Sequence, residues 1–142
     1  VYGTMYGNTE AVAEDLATRL VSKGMTNVVM YDVSKTHVSY LIAEAFKYSH
    51  IALASVTYNL NVYPPMLNFL MSMKALNLQK RTVAVIENGS WAPQAGQLIR
   101  KLLGKMKEMN ILEDEMLISS SMTEENISEI ESLAESIIES TK

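Results

Sequence analysis

The chain has 142 residues, a net charge of −4, 48% apolar side chains and no cysteine. That length fits one compact domain, and that apolar content excludes a disordered chain. The missing cysteines exclude disulfides, thiolate metal sites, iron–sulfur clusters and a cysteine nucleophile, no apolar run reaches bilayer length, and no basic stripe offers itself to nucleic acid.

Val1 and Tyr2 read as the tail of a strand whose signal already ends at Gly3, so the chain is expected to be part of a longer polypeptide with its first strand truncated. Residues 8–23 have helical spacing, with Val12, Leu16 and Leu20 on one face, and Gly24 stands where a left-handed C-cap is expected. Residues 27–31 (Asn-Val-Val-Met-Tyr) predict a second strand, and residues 38–48 return to helical spacing. Ile51-Ala52-Leu53-Ala54 predicts the third strand, followed by a loop over 55–63. Pro64-Pro65 opens a helix to about residue 76, because proline suits a first helical turn.

Residues 82–86 predict the fourth strand and 87–93 a second long loop, after which Leu98, Ile99, Leu102, Leu103 and Met106 mark a helix. Lys101, Lys105 and Lys107 on that amphipathic stretch read as a solvated face. Residues 116–118 predict the fifth strand. Thr123 is the expected N-cap of a last helix with Ile127, Ile130, Ala134, Ile137 and Ile138 on its apolar side. Glu124, Glu125, Glu129, Glu131, Glu135 and Glu139 concentrate the acidic excess there.

Five short apolar strands alternating with helices predict one α/β domain over residues 1–142, built on a doubly wound parallel sheet. Ligands in this architecture bind beyond the carboxyl ends of the strands. That rule selects three loops, at 3–9, 55–63 and 87–93. In the first, Gly7 permits close backbone approach, Thr4, Tyr6, Asn8 and Thr9 carry donors, and a helix begins at once. The combination suits a phosphate held by neutral donors and a helix dipole, since the loop has no Lys or Arg. An ordinary strand-to-helix turn is the alternative. The nucleotide signatures of the triphosphate loop and of the three-glycine dinucleotide turn are both absent.

The other two loops offer flat apolar faces and polar backbone. Trp91, the sole tryptophan, follows Asn88, Gly89 and Ser90, while Thr57, Tyr58, Asn59 and Tyr63 lie in the loop after the third strand. Rings stacked on such faces gain about 0.5–1.5 kcal/mol each beyond burial. Packing at a loop base, or over a sheet end, is the competing role for the same aromatics. His37 and His50 show no metal spacing and read as surface or packing residues, and the ten methionines read as core filler.

The stretch Tyr2-Gly3-Thr4-Met5-Tyr6-Gly7-Asn8-Thr9 resembles the phosphate loop of the flavodoxin domain of flavodiiron proteins (A-type flavoproteins). The resemblance continues through Tyr31-Asp32-Val33-Ser34, His37-Val38-Ser39, Ala54-Ser55-Val56-Thr57-Tyr58-Asn59 and Asn88-Gly89-Ser90-Trp91-Ala92-Pro93. It implies a flavodoxin-like, three-layer α/β/α fold with five strands in the order 2-1-3-4-5, and FMN as the cofactor. It places the phosphate on Thr4, Met5, Tyr6, Gly7, Asn8 and Thr9. It places the ring edge on Val56, Thr57, Tyr58 and Asn59 and on Asn88, Gly89, Ser90 and Trp91. Two departures stand out: Val56 occupies a position usually held by proline, and Leu60-Asn61 replaces the glycine often found after Asn59.

The implied function is electron transfer, with FMN supplying the chemistry. The implied partner is a redox protein, or a metallo-β-lactamase-like di-iron domain of the parent chain that reduces O₂ or NO. That parent is expected to be a head-to-tail homodimer in the cytoplasm, with no nucleic-acid or membrane partner. Two alternatives share the fold class: an FMN-dependent NAD(P)H:quinone reductase, for which no nicotinamide motif is found, and a receiver-like signalling module, which would need clustered aspartates where Gly3-Thr4 and Ser55 stand.

Overall fold

A computed structural model describes residues 1–4, 7–58, 61–88, 95–114, 116–118 and 123–142, with the backbone alone at 57, 58, 61, 95 and 116–118. The elements in chain order are β1 (Tyr2–Gly3), α1 (Asn8–Ser22), α2 (Val38–Lys47), β2 (His50–Tyr58), β3 (Asn61–Val62), α3 (Pro64–Ala75), β4 (Thr82–Asn88), α4 (Ala95–Leu103), β5 (Asn110–Ile111), β6 (Met116–Ile118) and α5 (Glu124–Ser140).

Local chemistry explains most boundaries. Gly24 ends the α1 region at φ 94°, with its N–H on the Val21 carbonyl, as a left-handed cap requires. Pro64 and Pro65 occupy the first turn of α3, where a missing N–H loses nothing. Thr123 and Asn126 form a reciprocal capping box at the start of α5. The His37 ring accepts from the Ser39 N–H at 3.1 Å and so starts α2.

The sheet is parallel along its main path, β1-β2-β4-β5. Among the described residues that path has four strands, not the expected five, while β6 pairs with β4 beside β5 and β3 folds back antiparallel on β2. The expected second strand at 27–31 does not form. That segment reaches the sheet through one parallel bridge, Tyr2 to Asp32, with the Tyr2 N–H on the Tyr31 carbonyl and the Val33 N–H on the Tyr2 carbonyl. Asn27, at φ 60°, takes the start of that segment out of extended backbone. Counted as the expected strands, the hydrogen-bonded path runs 1-3-4-5, and the place of the second in the order 2-1-3-4-5 rests on that single bridge. The third strand is also longer than expected: β2 continues through Tyr58, and part of the expected loop is the β2–β3 hairpin.

Two apolar layers flank the sheet. Ile51, Leu53, Val83 and Val85 face α2, α3 and α4 in a core centred on Leu41, Phe69, Leu70 and Ile99. Ala52, Ala54, Ala84 and Ile86 face α1 and α5, where Val12, Leu16, Ile130 and Leu133 close the second core. Period-two alternation between two apolar faces is why β2 and β4 read as unbroken apolar runs. Arg19 ties the helices of the second layer together, bonding Asp15 at 2.9 Å and Glu131 at 2.6 Å, with Lys23 also paired to Glu131. No helix among the described residues is long and apolar enough to cross a membrane.

Candidate functional site

Parallel register brings the three loops selected from sequence to one edge. Gly3 lies opposite Ser55, and Ser55 opposite Glu87. At about 4.8 Å per strand, the first and third loops leave the sheet about 10 Å apart.

Between β1 and α1 the chain is shaped to leave amides open. Gly7 is the N-cap of α1 at φ 87°, a left-handed geometry that glycine adopts without penalty. It has no side chain to give, and no side-chain hydrogen bond caps the helix. The Gly7 N–H is itself engaged by Thr4 Oγ1 at 2.8 Å. The first-turn amides of α1 and the positive end of its dipole are thus directed at the loop. Asn8 is exposed there, whereas Thr9 is buried and its Oγ1 accepts from Asn88 Nδ2 at 3.2 Å. The Tyr2 hydroxyl donates to Glu10 Oε1 at 3.1 Å. Burial together with that carboxylate pushes the Tyr2 hydroxyl up to about 12, so it stays a donor and fastens the first turn of α1 to β1.

The second and third loops are partly resolved into regular structure. Ser55 is buried, with its hydroxyl donating to the Val56 carbonyl at 3.1 Å, and Val56 is half-buried. Thr57 and Tyr58 pair with Val62 and Asn61, so the expected loop residues lie on a hairpin. Tyr63 starts α3, and its ring rests on β1: a Cβ at Gly3 would meet Tyr63 Cδ2 at 2.7 Å and Val33 Cγ1 at 3.2 Å. Of the two roles open to Tyr63, covering the sheet end is the one its contacts match. Asn88 closes β4, and Glu87 beside it accepts the Gly96 N–H at 2.9 Å, which caps α4 with a carboxylate at the favourable end of its dipole. Met5, Tyr6, Asn59, Gly89, Ser90 and Trp91 lie outside the described residues.

Thr4, Gly7, Asn8, Thr9 and Asn88 are therefore the expected residues brought together with described geometry. Sequence reasoning missed the Thr9–Asn88 bond and the capping role of Glu87. A glycine at the second position of α4 was the available signal for the latter. Both histidines have structural partners: His37 caps α2, and His50 bonds Ser49 and Ser140 at 2.7 and 3.1 Å.

A cavity of about 1010 Å³ lies at the opposite edge, among the amino ends of β2 and β4, lined by Val1, Val29, Tyr31, Ile51, Thr82 and Ile138. The residues that end α1, α2 and α5 also line it, at Lys23, Lys47 and Thr141. Helix carboxyl ends repel anions, so this cavity does not suit a phosphate despite its volume.

The curated protein MJ0732 of Methanocaldococcus jannaschii is 29% identical over 117 residues, which is 82% of this chain and 29% of that one. Rubredoxin oxygen:oxidoreductase from the anaerobe Desulfovibrio gigas superposes with a TM-score of 0.91 at 19% identity, over 98% of this chain and 34% of its own. A flavo di-iron protein from Thermotoga maritima gives 0.84 at 21% identity, over 99% and 35%. A flavodoxin from the domain Archaea gives 0.81 at 24% identity, over 98% and 94%. This chain thus spans about a third of the longer proteins and nearly all of the archaeal flavodoxin, and these structural likenesses establish the fold. The profile described as Flavodoxin matches residues 1–112, most of the 142, and on that match the chain belongs to the flavodoxin family.

Proposed function

We propose that this chain is the FMN-binding module of a flavodiiron-type oxidoreductase and passes electrons from FMN to a di-iron domain. FMN and electron transfer follow from membership of the flavodoxin family. The observation that carries the binding mode is the uncapped start of α1, with Gly7 at φ 87° as N-cap. A phosphate supplies the negative charge that those amides lack. The helix dipole contributes about 1 kcal/mol and each neutral donor a similar amount.

On this reading Thr4, Met5, Tyr6, Gly7, Asn8 and Thr9 hold the phosphate. Val56, Thr57, Tyr58, Asn59, Asn88, Gly89, Ser90 and Trp91 border the ring. Bound FMN supplies the redox chemistry by taking up and releasing one or two electrons. The chain's own residues bind it, orient it and exclude water. Support for the flavodiiron assignment comes from the two longer neighbours, in which this fold is about a third of the chain. The parent protein on this reading is a cytoplasmic homodimer.

Denaturing the purified holoprotein should release FMN. Release of FAD, or of no flavin after loading, sinks the cofactor assignment. Reduced holoprotein mixed with an isolated di-iron domain should drive oxygen consumption. An inert mixture with FMN bound would remove the flavodiiron assignment and leave a free-standing flavodoxin.

A further inference from the structure

We propose that Asn88, although it ends the strand leading to the ring loop, sets phosphate selectivity by positioning the hydroxyl of Thr9. The inference rests on the phosphate reading of the first loop. Thr9 and Asn88 are 79 residues apart in sequence and 2% and 5% exposed, and Asn88 Nδ2 donates to Thr9 Oγ1 at 3.2 Å. The direction of that bond matters. An amide NH₂ group is donor only, so Thr9 Oγ1 is the acceptor, and one of its lone pairs is committed to Asn88.

The hydroxyl proton must then point away from Asn88. Among the described residues no acceptor takes it, and a buried O–H without an acceptor is unfavourable. Thr9 is the second residue of α1, beside the uncapped amides, where an oxyanion is the acceptor that fits. Asn88 thus turns a freely rotating hydroxyl into a donor fixed on the phosphate side. Its backbone remains available to the ring edge whatever its side chain does, so the two contributions separate by substitution.

The test measures dissociation constants of FMN and riboflavin by flavin fluorescence quenching. The proteins are wild type, Asn88→Leu, Thr9→Val and the double variant. Leucine keeps the branched outline of Asn88, somewhat enlarged, without its amide. Asn88→Ala is run in parallel in case leucine does not fit, and apoprotein melting checks the fold of each variant. Asn88→Leu should weaken FMN about ten-fold, the worth of one hydrogen bond to a charged group, and leave riboflavin within about two-fold. With Thr9→Val present, the substitution at 88 should have no further effect on FMN. Equal losses for the two flavins would make the pair a packing contact and overturn the proposal. An undiminished FMN-specific loss in the Thr9→Val background would overturn it too, because Asn88 would then act without Thr9. If wild type binds neither flavin, the functional reading fails together with this inference. If wild type binds FMN and the cycle is flat, the inference fails alone.

Discussion

Replacing Gly96 by alanine should destabilise the protein by about 1–2 kcal/mol, against the ordinary helix preference. Gly96 lies inside α4 and its φ is outside the left-handed range, so alanine is allowed by the backbone. Helix propensity and a less mobile unfolded chain then favour alanine by up to about 1 kcal/mol. Contacts oppose it. The new Cβ would stand 2.9 Å from Glu87 Oε2 and 3.2 Å from Glu87 Cβ and Cδ. The carboxylate has to swing away, abandoning its 2.9 Å bond to the Gly96 N–H. A hydrogen bond to a charged group is worth about 1.5–3 kcal/mol and a carboxylate at a helix start about 0.3–1 kcal/mol, part of which water recovers at this half-buried site. The loss outweighs the gain. Urea unfolding of wild type, Gly96→Ala, Glu87→Ala and the double variant measures it. In the Glu87→Ala background the alanine should become neutral or stabilising. A Gly96→Ala protein more stable than wild type, or an unchanged penalty without Glu87, refutes the reasoning.

Two further outcomes are expected. FMN at 100 times its dissociation constant should add about 2.7 kcal/mol to unfolding, seen as a raised melting temperature; indifference to FMN counts against the binding site. Trp91→Ala should weaken FMN and riboflavin alike, by about ten-fold, since ring stacking is blind to the phosphate; a loss confined to FMN would assign Trp91 to the phosphate instead.

The alternation of helices with apolar strands, the left-handed turn at Gly24, the proline start of α3 and the Thr123 cap were all legible in the sequence, because each depends on neighbours within a few residues. The loop proposed for the phosphate stood out for the same reason: a glycine, a cluster of short donors and a helix start are contiguous from Thr4 to Thr9. Residues 27–31 have the composition of a strand and yet form only the bridge from Tyr2 to Asp32, because Asn27 leaves extended backbone at φ 60° and strand pairing needs a partner that composition does not report. The hairpin that extends β2 to Tyr58 likewise needed its β3 partner. The bond from Asn88 to Thr9 and the contact of Glu87 with Gly96 join positions that no local pattern links. Only the parallel register, which sets Gly3, Ser55 and Glu87 in one row, brings the separated loops to a common edge and decides which side chains meet there.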